Sequence, residues 1–170
     1  MKGAGADMKH TISILVENHP GVLSRISGLF SRRGFNIDSL AVGVTDDPAV
    51  SRITILVEGN DATVEQVEKQ LNKLIDVIRL RRLPAGSTTS RELMLIKVEC
   101  TARTRSDIVD IVRVMDAKVC DISKSTMTIE ISDVTERLLI LQELLEPYHI
   151  LEVVRTGTIA LEKGGGALTV

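Results

Sequence analysis

The sequence predicts an α+β chain of two tandem βαββαβ units, each an antiparallel sheet carrying two helices on one face. Three observations predict it. The order strand, helix, strand, strand, helix, strand fills residues 8–84 and is repeated over residues 91–162 with little sequence in common. Strand segments alternate apolar and polar residues, while the segments between them space their apolar residues for a helix. A polar stretch, residues 85–90 after Pro84, separates the two runs and marks the domain boundary. Each unit of about 80 residues buries only about 60% of its unfolded surface and is marginal alone, which predicts contacts with further domains or subunits.

Residues 1–7 show no periodicity and read as a disordered leader, with Met8 a candidate start. From His10 the chain alternates: Ile12, Ile14 and Val16 point one way and Thr11, Ser13 and Glu17 the other, with Leu15 the exception. The turn Glu17-Asn18-His19-Pro20-Gly21 leads into a helix with Val22, Leu23, Ile26, Leu29 and Phe30 on one face. Gly34 supplies a left-handed stop, and Arg32 and Arg33 occupy the last turn, where the helix dipole favours cations. The opposite face of this helix is made of small residues, Gly21, Ser24, Ser27, Gly28 and Ser31. Two readings of it stand: a solvated face, or a surface for close packing of another chain. Leu40, Val42 and Val44 then alternate with Ser39, Ala41 and Gly43, and Ile53, Ile55 and Val57 alternate with Thr54, Leu56 and Glu58. Asp46-Asp47-Pro48 turns the chain between these strands. Asp61 is the expected cap of a second helix with Val64, Val67, Leu71 and Leu74 inward and Glu65–Lys69 as an i,i+4 pair. The last strand, residues 77–83, is expected to bury Ile78 and Leu80 and to turn Arg79 and Arg81 outward.

The order then repeats. Residues 93–100 form a strand, and a helix from about Arg105 buries Ile108, Val112 and Met115. Residues 119–123 and 126–131 make a hairpin. Asp133 and Glu136 resemble a capping box ahead of Val134, Leu138, Leu141 and Leu145. Pro147 ends that helix, residues 150–161 carry the final strand, and residues 163–170 form a flexible tail from Gly164-Gly165-Gly166 onward.

Composition narrows function by exclusion. The net charge is −2 with both signs interspersed, so no field gathers nucleic acid or an anionic membrane. No apolar run approaches 18 residues and no signal-peptide layout is present, which predicts a soluble, cytoplasmic chain. Cys100 and Cys120 sit in strand-like apolar contexts without metal or redox spacing and read as small core residues. His10, His19 and His149 fall in no recognisable arrangement with Ser or Cys, and no HExxH, CxxC, paired-carboxylate or phosphate-loop motif appears. Catalysis by this chain is therefore not expected, nor a metal or cofactor of its own. RNA-recognition modules share the βαββαβ order but stack bases on aromatics of the two central strands. The strands at residues 12–16 and 52–57 hold none, and the chain's aromatics are Phe30, Phe35 and Tyr148.

What remains is the turn at residues 18–21. A strand-to-helix junction presents unpaired N–H groups and the positive end of the helix dipole, and Gly21 removes a side chain that would block close approach. An ordinary N-terminal turn and a seat for a small carboxylate both fit that pattern.

Glu17-Asn18-His19-Pro20-Gly21-Val22-Leu23-Ser24-Arg25, followed by residues 28–37 (Gly-Leu-Phe-Ser-Arg-Arg-Gly-Phe-Asn-Ile), resembles the signature of an ACT domain. Residues 45–52, 69–74, 91–98 and 154–157 narrow the resemblance to the regulatory (small) subunits of acetolactate synthase, also called acetohydroxyacid synthase, over about residues 8–162. The resemblance implies ferredoxin-like units: an ACT domain at 8–84 for amino-acid binding and dimerisation, and a second domain at 91–162. It also implies a partner, the thiamine-diphosphate catalytic subunit. That subunit carries FAD, thiamine diphosphate and Mg, is activated by the regulatory chain and acquires feedback inhibition by valine in branched-chain amino-acid synthesis. Valine, or a related branched-chain amino acid, would lie between two ACT domains of a homodimer. Asn18, Gly21, Val22 and Leu23 of one chain and Asn36 and Ile37 of its neighbour would hold it. Backbone N–H groups and Asn amides suit a zwitterion whose carboxylate accepts and whose ammonium donates. A tandem-ACT amino-acid sensor acting on a different target is the alternative, and a ligand-free assembly module a further one. The second unit has Thr101-Ala102-Arg103-Thr104 in place of the Pro-Gly turn, which assigns it to dimerisation or partner contact.

Overall fold

A computed structural model describes residues 8–170; the leader expected at 1–7 lies outside them. The first unit is built from β1 (Met8–Glu17), α1 (Val22–Arg33), β2 (Ile37–Val44), β3 (Val50–Gly59), α2 (Asp61–Leu71) and β4 (Val77–Leu83). Its strands lie in the order β2-β3-β1-β4, all antiparallel. Ile12, Ile14 and Val16 of β1 and Ile53, Ile55 and Val57 of β3 face both helices. Val22, Ile26, Leu29 and Phe30 of α1 and Val64, Val67 and Leu71 of α2 complete one buried cluster. Gly34 stops α1 at φ 69°, its N–H returning to the carbonyls of Phe30 and Ser31, as the sequence predicts.

Local physics moves three expected features. The cap of α2 is Asn60, whose Oδ1 accepts from Thr63 N–H at 2.9 Å, and Asp61 is the first helical residue. Asn60→Ala is expected to cost about 1 kcal/mol of first-unit stability in urea denaturation, and Asp61→Ala less than about 0.5 kcal/mol, because its pair with Arg82 is exposed. In β4 the register slips opposite Leu15 and Val16, so Val77 and Leu80 pack on the core and Ile78 turns outward. Beyond the slip, Arg82 faces α2 and binds Glu68 at 3.0 Å, whereas Arg81 lies on the opposite face and pairs with Glu162 at 2.6 Å. Of Leu40, Val42 and Val44 in β2, only Leu40 packs against the core, and Val42 and Val44 are exposed, because β2 is the edge strand.

The face of this sheet turned away from the helices is also covered. Ser13, Leu15, Thr54 and Ala41 are buried there, and β9 (Ile159–Glu162) belongs to this unit. Thr158 N–H donates to Ser39 Oγ at 2.8 Å, Arg52 Nη2 to the Ala160 carbonyl at 3.2 Å, and Lys163 N–H to the Ser87 carbonyl at 2.7 Å. The final strand expected over 150–161 is therefore two strands, parted around Gly157 at φ 79°. The compact units are residues 8–89 with 158–170, and residues 90–157.

The second unit contains β5 (Thr88–Glu99), α3 (Arg105–Val114), β6 (Lys118–Ile122), β7 (Thr126–Asp133), α4 (Thr135–Leu145) and β8 (Ile150–Arg155), in the strand order β6-β7-β5-β8. β5 starts inside the expected linker, after one 3-10 turn at Ala85–Ser87. Met94, Ile96 and Val98, with Met127, Ile129 and Ile131, pack against Ile108, Val112, Leu138, Leu141 and Leu145. Two details repeat the first unit. Register slips opposite Lys97 and Val98, turning Leu151 outward as Ile78 is turned outward, and Glu99 N–H bonds the His149 carbonyl as Glu17 N–H bonds that of Asp76. Glu92 is buried, with Arg155 on both carboxylate oxygens at 2.9 and 2.7 Å and Thr135 Oγ1 at 2.9 Å. Burial alone would raise its pKa, but these hydrogen bonds hold it below the ordinary carboxylate value.

The expected capping box at Asp133 does not form. Asp133 is still paired in β7, Val134 is the cap position, and the Asp133 carboxylate binds Arg137 at 2.6 Å instead. Cys100 is buried as expected. Cys120 is exposed, because β6 is an edge strand with every residue open; desolvation and Glu130, 3.5 Å away, push its thiol pKa up.

Candidate functional site at the start of helix α1

β1 delivers the chain to residue 18 at the sheet's end, and two bonds to the β2–β3 turn hold it there. Asn18 N–H donates to the Ala49 carbonyl at 2.7 Å and Asn18 Nδ2 to that of Pro48 at 2.9 Å. Among the described residues Asn18 Oδ1 accepts nothing, which leaves it available to an ammonium. The next requirement is to start a helix immediately, and Gly21 meets it with φ 92°. No side chain caps α1. Val22 N–H makes a long 3.5 Å bond to the His19 carbonyl, and the Leu23 and Ser24 N–H groups are left as unpaired donors at the positive end of a 12-residue dipole. A Cβ built on Gly21 would meet nothing within 4 Å, so the approach is open. Such a junction accepts one carboxylate and adds no chemistry beyond binding.

The other candidate residues divide. Val22 is buried in the core and offers a ligand only its backbone, Ile37 is half-buried against that core, and Leu23 is 44% exposed. Asn36 is exposed beyond the far end of α1, donating through Nδ2 to Asp38 Oδ1 at 3.3 Å. A 12-residue helix is about 18 Å long, so one chain does not bring Asn36 to Gly21. The equivalent junction in the second unit is closed by its own side chains. Thr101 N–H donates to Thr104 Oγ1 at 3.0 Å and Thr104 N–H to Thr101 Oγ1 at 3.3 Å.

Sequence reasoning left three participants unassigned. Asp76, only 5% exposed, lies just before β4. Its carboxylate accepts from Arg25 of α1 at 2.5 Å and from His19 Nε2 of the loop at 3.0 Å, and its carbonyl accepts from Glu17 N–H at 3.0 Å. The Arg25 guanidinium, seconded by His19, holds the Asp76 carboxyl below the usual range. No spacing could reveal these bonds, which join residues 51 and 57 positions apart. Glu17, His19 and Asp76 place three donor atoms within 4.8 Å of one another. A cation there would meet the guanidinium already bound to Asp76, so the group is an ion-pair cluster rather than a metal centre. Among the described residues no helix is long and apolar enough to cross a membrane.

Comparison with known proteins covers both units. The family described as AHAS small subunit-like ACT domain matches residues 12–79, and the family described as small subunit of acetolactate synthase matches residues 91–164. The acetolactate synthase small subunit of Mycolicibacterium smegmatis is 49% identical over 155 residues, 91% of each chain. A probable acetolactate synthase small subunit of Archaeoglobus fulgidus is 46% identical, over 92% of this chain and 98% of its own. The crystal structure of the acetolactate synthase small subunit of Thermotoga maritima superposes with a TM-score of 0.88 at 35% identity, covering 94% of this chain and 99% of that one.

Proposed function

The chain belongs to the family of acetolactate synthase small subunits, and from that premise we propose that it is a non-catalytic regulatory subunit that senses valine. It binds the thiamine-diphosphate-dependent catalytic subunit, raises its activity and makes it subject to feedback inhibition. The observation that carries the sensing role is the uncapped, open start of α1 at Gly21. Donors of the first turn take the carboxylate of the amino acid, and Asn18 Oδ1 takes its ammonium. These groups are common to every amino acid, so selection falls to the side-chain pocket. There each methylene is worth only about 1–3 kcal/mol, which favours Val over Ala but separates Val, Leu and Ile poorly. The length of α1 supports the reading in which Asn36 and Ile37 come from a second chain and a homodimer completes the site.

Titration of the chain with L-valine by calorimetry tests the reading, with D-valine and L-lysine as controls. Saturable heat for L-valine alone is expected; no heat at millimolar L-valine counts against it. Capture of the thiamine enzyme by the tagged chain tests the partner.

A dimer completed at α1 gives the small-residue stripe Ser24, Ser27, Gly28 and Ser31 its use as a close-packed contact. A Cβ at Gly28 meets only the flexible Nη1 of Arg32, at 3.3 Å, so the fold tolerates a longer side chain there. Gly28→Glu is expected to halve the mass seen by light scattering. An unchanged mass would remove the stripe from the interface.

A further inference from the structure

We propose that Asp76 is the positioning residue of the amino-acid site, a latch that holds the 18–21 loop and the start of α1 in the binding geometry. The proposal rests on the valine reading above. Asp76 touches no part of the candidate seat. It acts through two arms: His19, inside the loop, and Arg25, one turn into α1.

The loop needs such a hold. Its junction is made by a glycine in a left-handed conformation with no side-chain cap, and the bond from Val22 N–H to the His19 carbonyl is long, at 3.5 Å. Left to itself, a glycine junction samples other conformations, and the first-turn donors lose their common aim. The carboxylate of Asp76 opposes that. It is buried, its own main chain is tied to the end of β1 through Glu17 N–H, and its two oxygens are divided between the two arms. His19 is held at both ends of its ring, with Nδ1 3.1 Å from the Pro20 carbonyl and Nε2 on Asp76. Glu17 Oε2, 3.4 Å from Nε2, adds a second negative charge to the same side. Charge-assisted bonds of this kind are the stronger ones, and preorganised donors bind without an ordering cost. The side chains of the two arms are 40% and 53% exposed, so severing either disturbs the core little.

The test is a double-mutant cycle in the full chain, read as the Kd for L-valine by calorimetry beside the midpoint of thermal unfolding. Asp76→Asn keeps the shape and loses the charge; it is expected to raise Kd roughly ten-fold, the loss of one charge-assisted bond. His19→Gln and Arg25→Gln are each expected to weaken binding with little change in the unfolding midpoint. If the arms act through Asp76, the double variants Asp76→Asn/His19→Gln and Asp76→Asn/Arg25→Gln bind no worse than Asp76→Asn alone. Additive losses, or a Kd within two-fold of wild type for Asp76→Asn, overturn the latch. If Asp76→Asn fails to fold, the two single-arm variants decide: unchanged Kd values in both overturn it. A wild-type chain that takes up no valine overturns instead the ligand reading on which the latch rests.

Discussion

Gly21→Asp is expected to abolish inhibition by valine in the reconstituted complex while activation of the catalytic subunit persists. The substitution is survivable for the fold. A Cβ at Gly21 meets nothing within 4 Å, and Asp is among the side chains that visit the left-handed region, at about 1 kcal/mol or slightly more. It is not survivable for the site, because a fixed carboxylate at the start of α1 takes the donors and repels the ligand's own. Losing two charge-assisted hydrogen bonds corresponds to roughly 100-fold or more in the half-inhibiting valine concentration. Asn36→Ala is expected to act in the same direction by about ten-fold, the share of one such bond. Because Asn36 is exposed, its stability change should stay within about 0.5 kcal/mol. Inhibition and activation curves for each variant check both. Joint loss of the two activities would mean that the ACT unit had unfolded.

The fold was legible because local pattern and tertiary position agree in most elements. Ile12, Ile14 and Val16 alternate because one face of β1 carries both helices, and Gly34 ends α1 because only a left-handed residue lets the chain turn there. Legibility failed where tertiary neighbours overrule the pattern. Ile78 looks like an inward strand residue, yet a register slip sends it outward, as a matching slip does Leu151. Val42, Val44 and Cys120 look inward as well, but they sit on sheet edges. Of the candidate site, the loop at Asn18 and Gly21 could be read from residue types, since the need for glycine and an uncapped helix start is local. Asp76 could not, because its meaning lies in two side chains more than fifty positions earlier.

The same limit applies to the end of the chain, where the largest effect on stability is expected. Residues 158–162 follow β8 directly and look like its continuation, but they pack with the first unit. Removing residues 158–170 leaves Arg52 without the Ala160 carbonyl, Ser39 without Thr158 N–H and Arg81 without Glu162. Arg52 is the most exposed to this change. It is already desolvated enough to lower its pKa, and its remaining anchor is Ser13 Oγ at 2.9 Å, a residue with no solvent exposure. Three hydrogen bonds, two of them to charged groups, amount to about 3 kcal/mol. A chain ending at Gly157 is thus expected to lose about 3 kcal/mol or more from its first unit while the second keeps its stability. Hydrogen exchange resolves this, with β1 and β3 losing protection and β7, which does not pair with β9, retaining it. Equal protection of β1 and β3 in the full and shortened chains would show that the segment only rests on that face. Selective loss would mean that the first unit depends on residues the chain supplies only after completing the second unit.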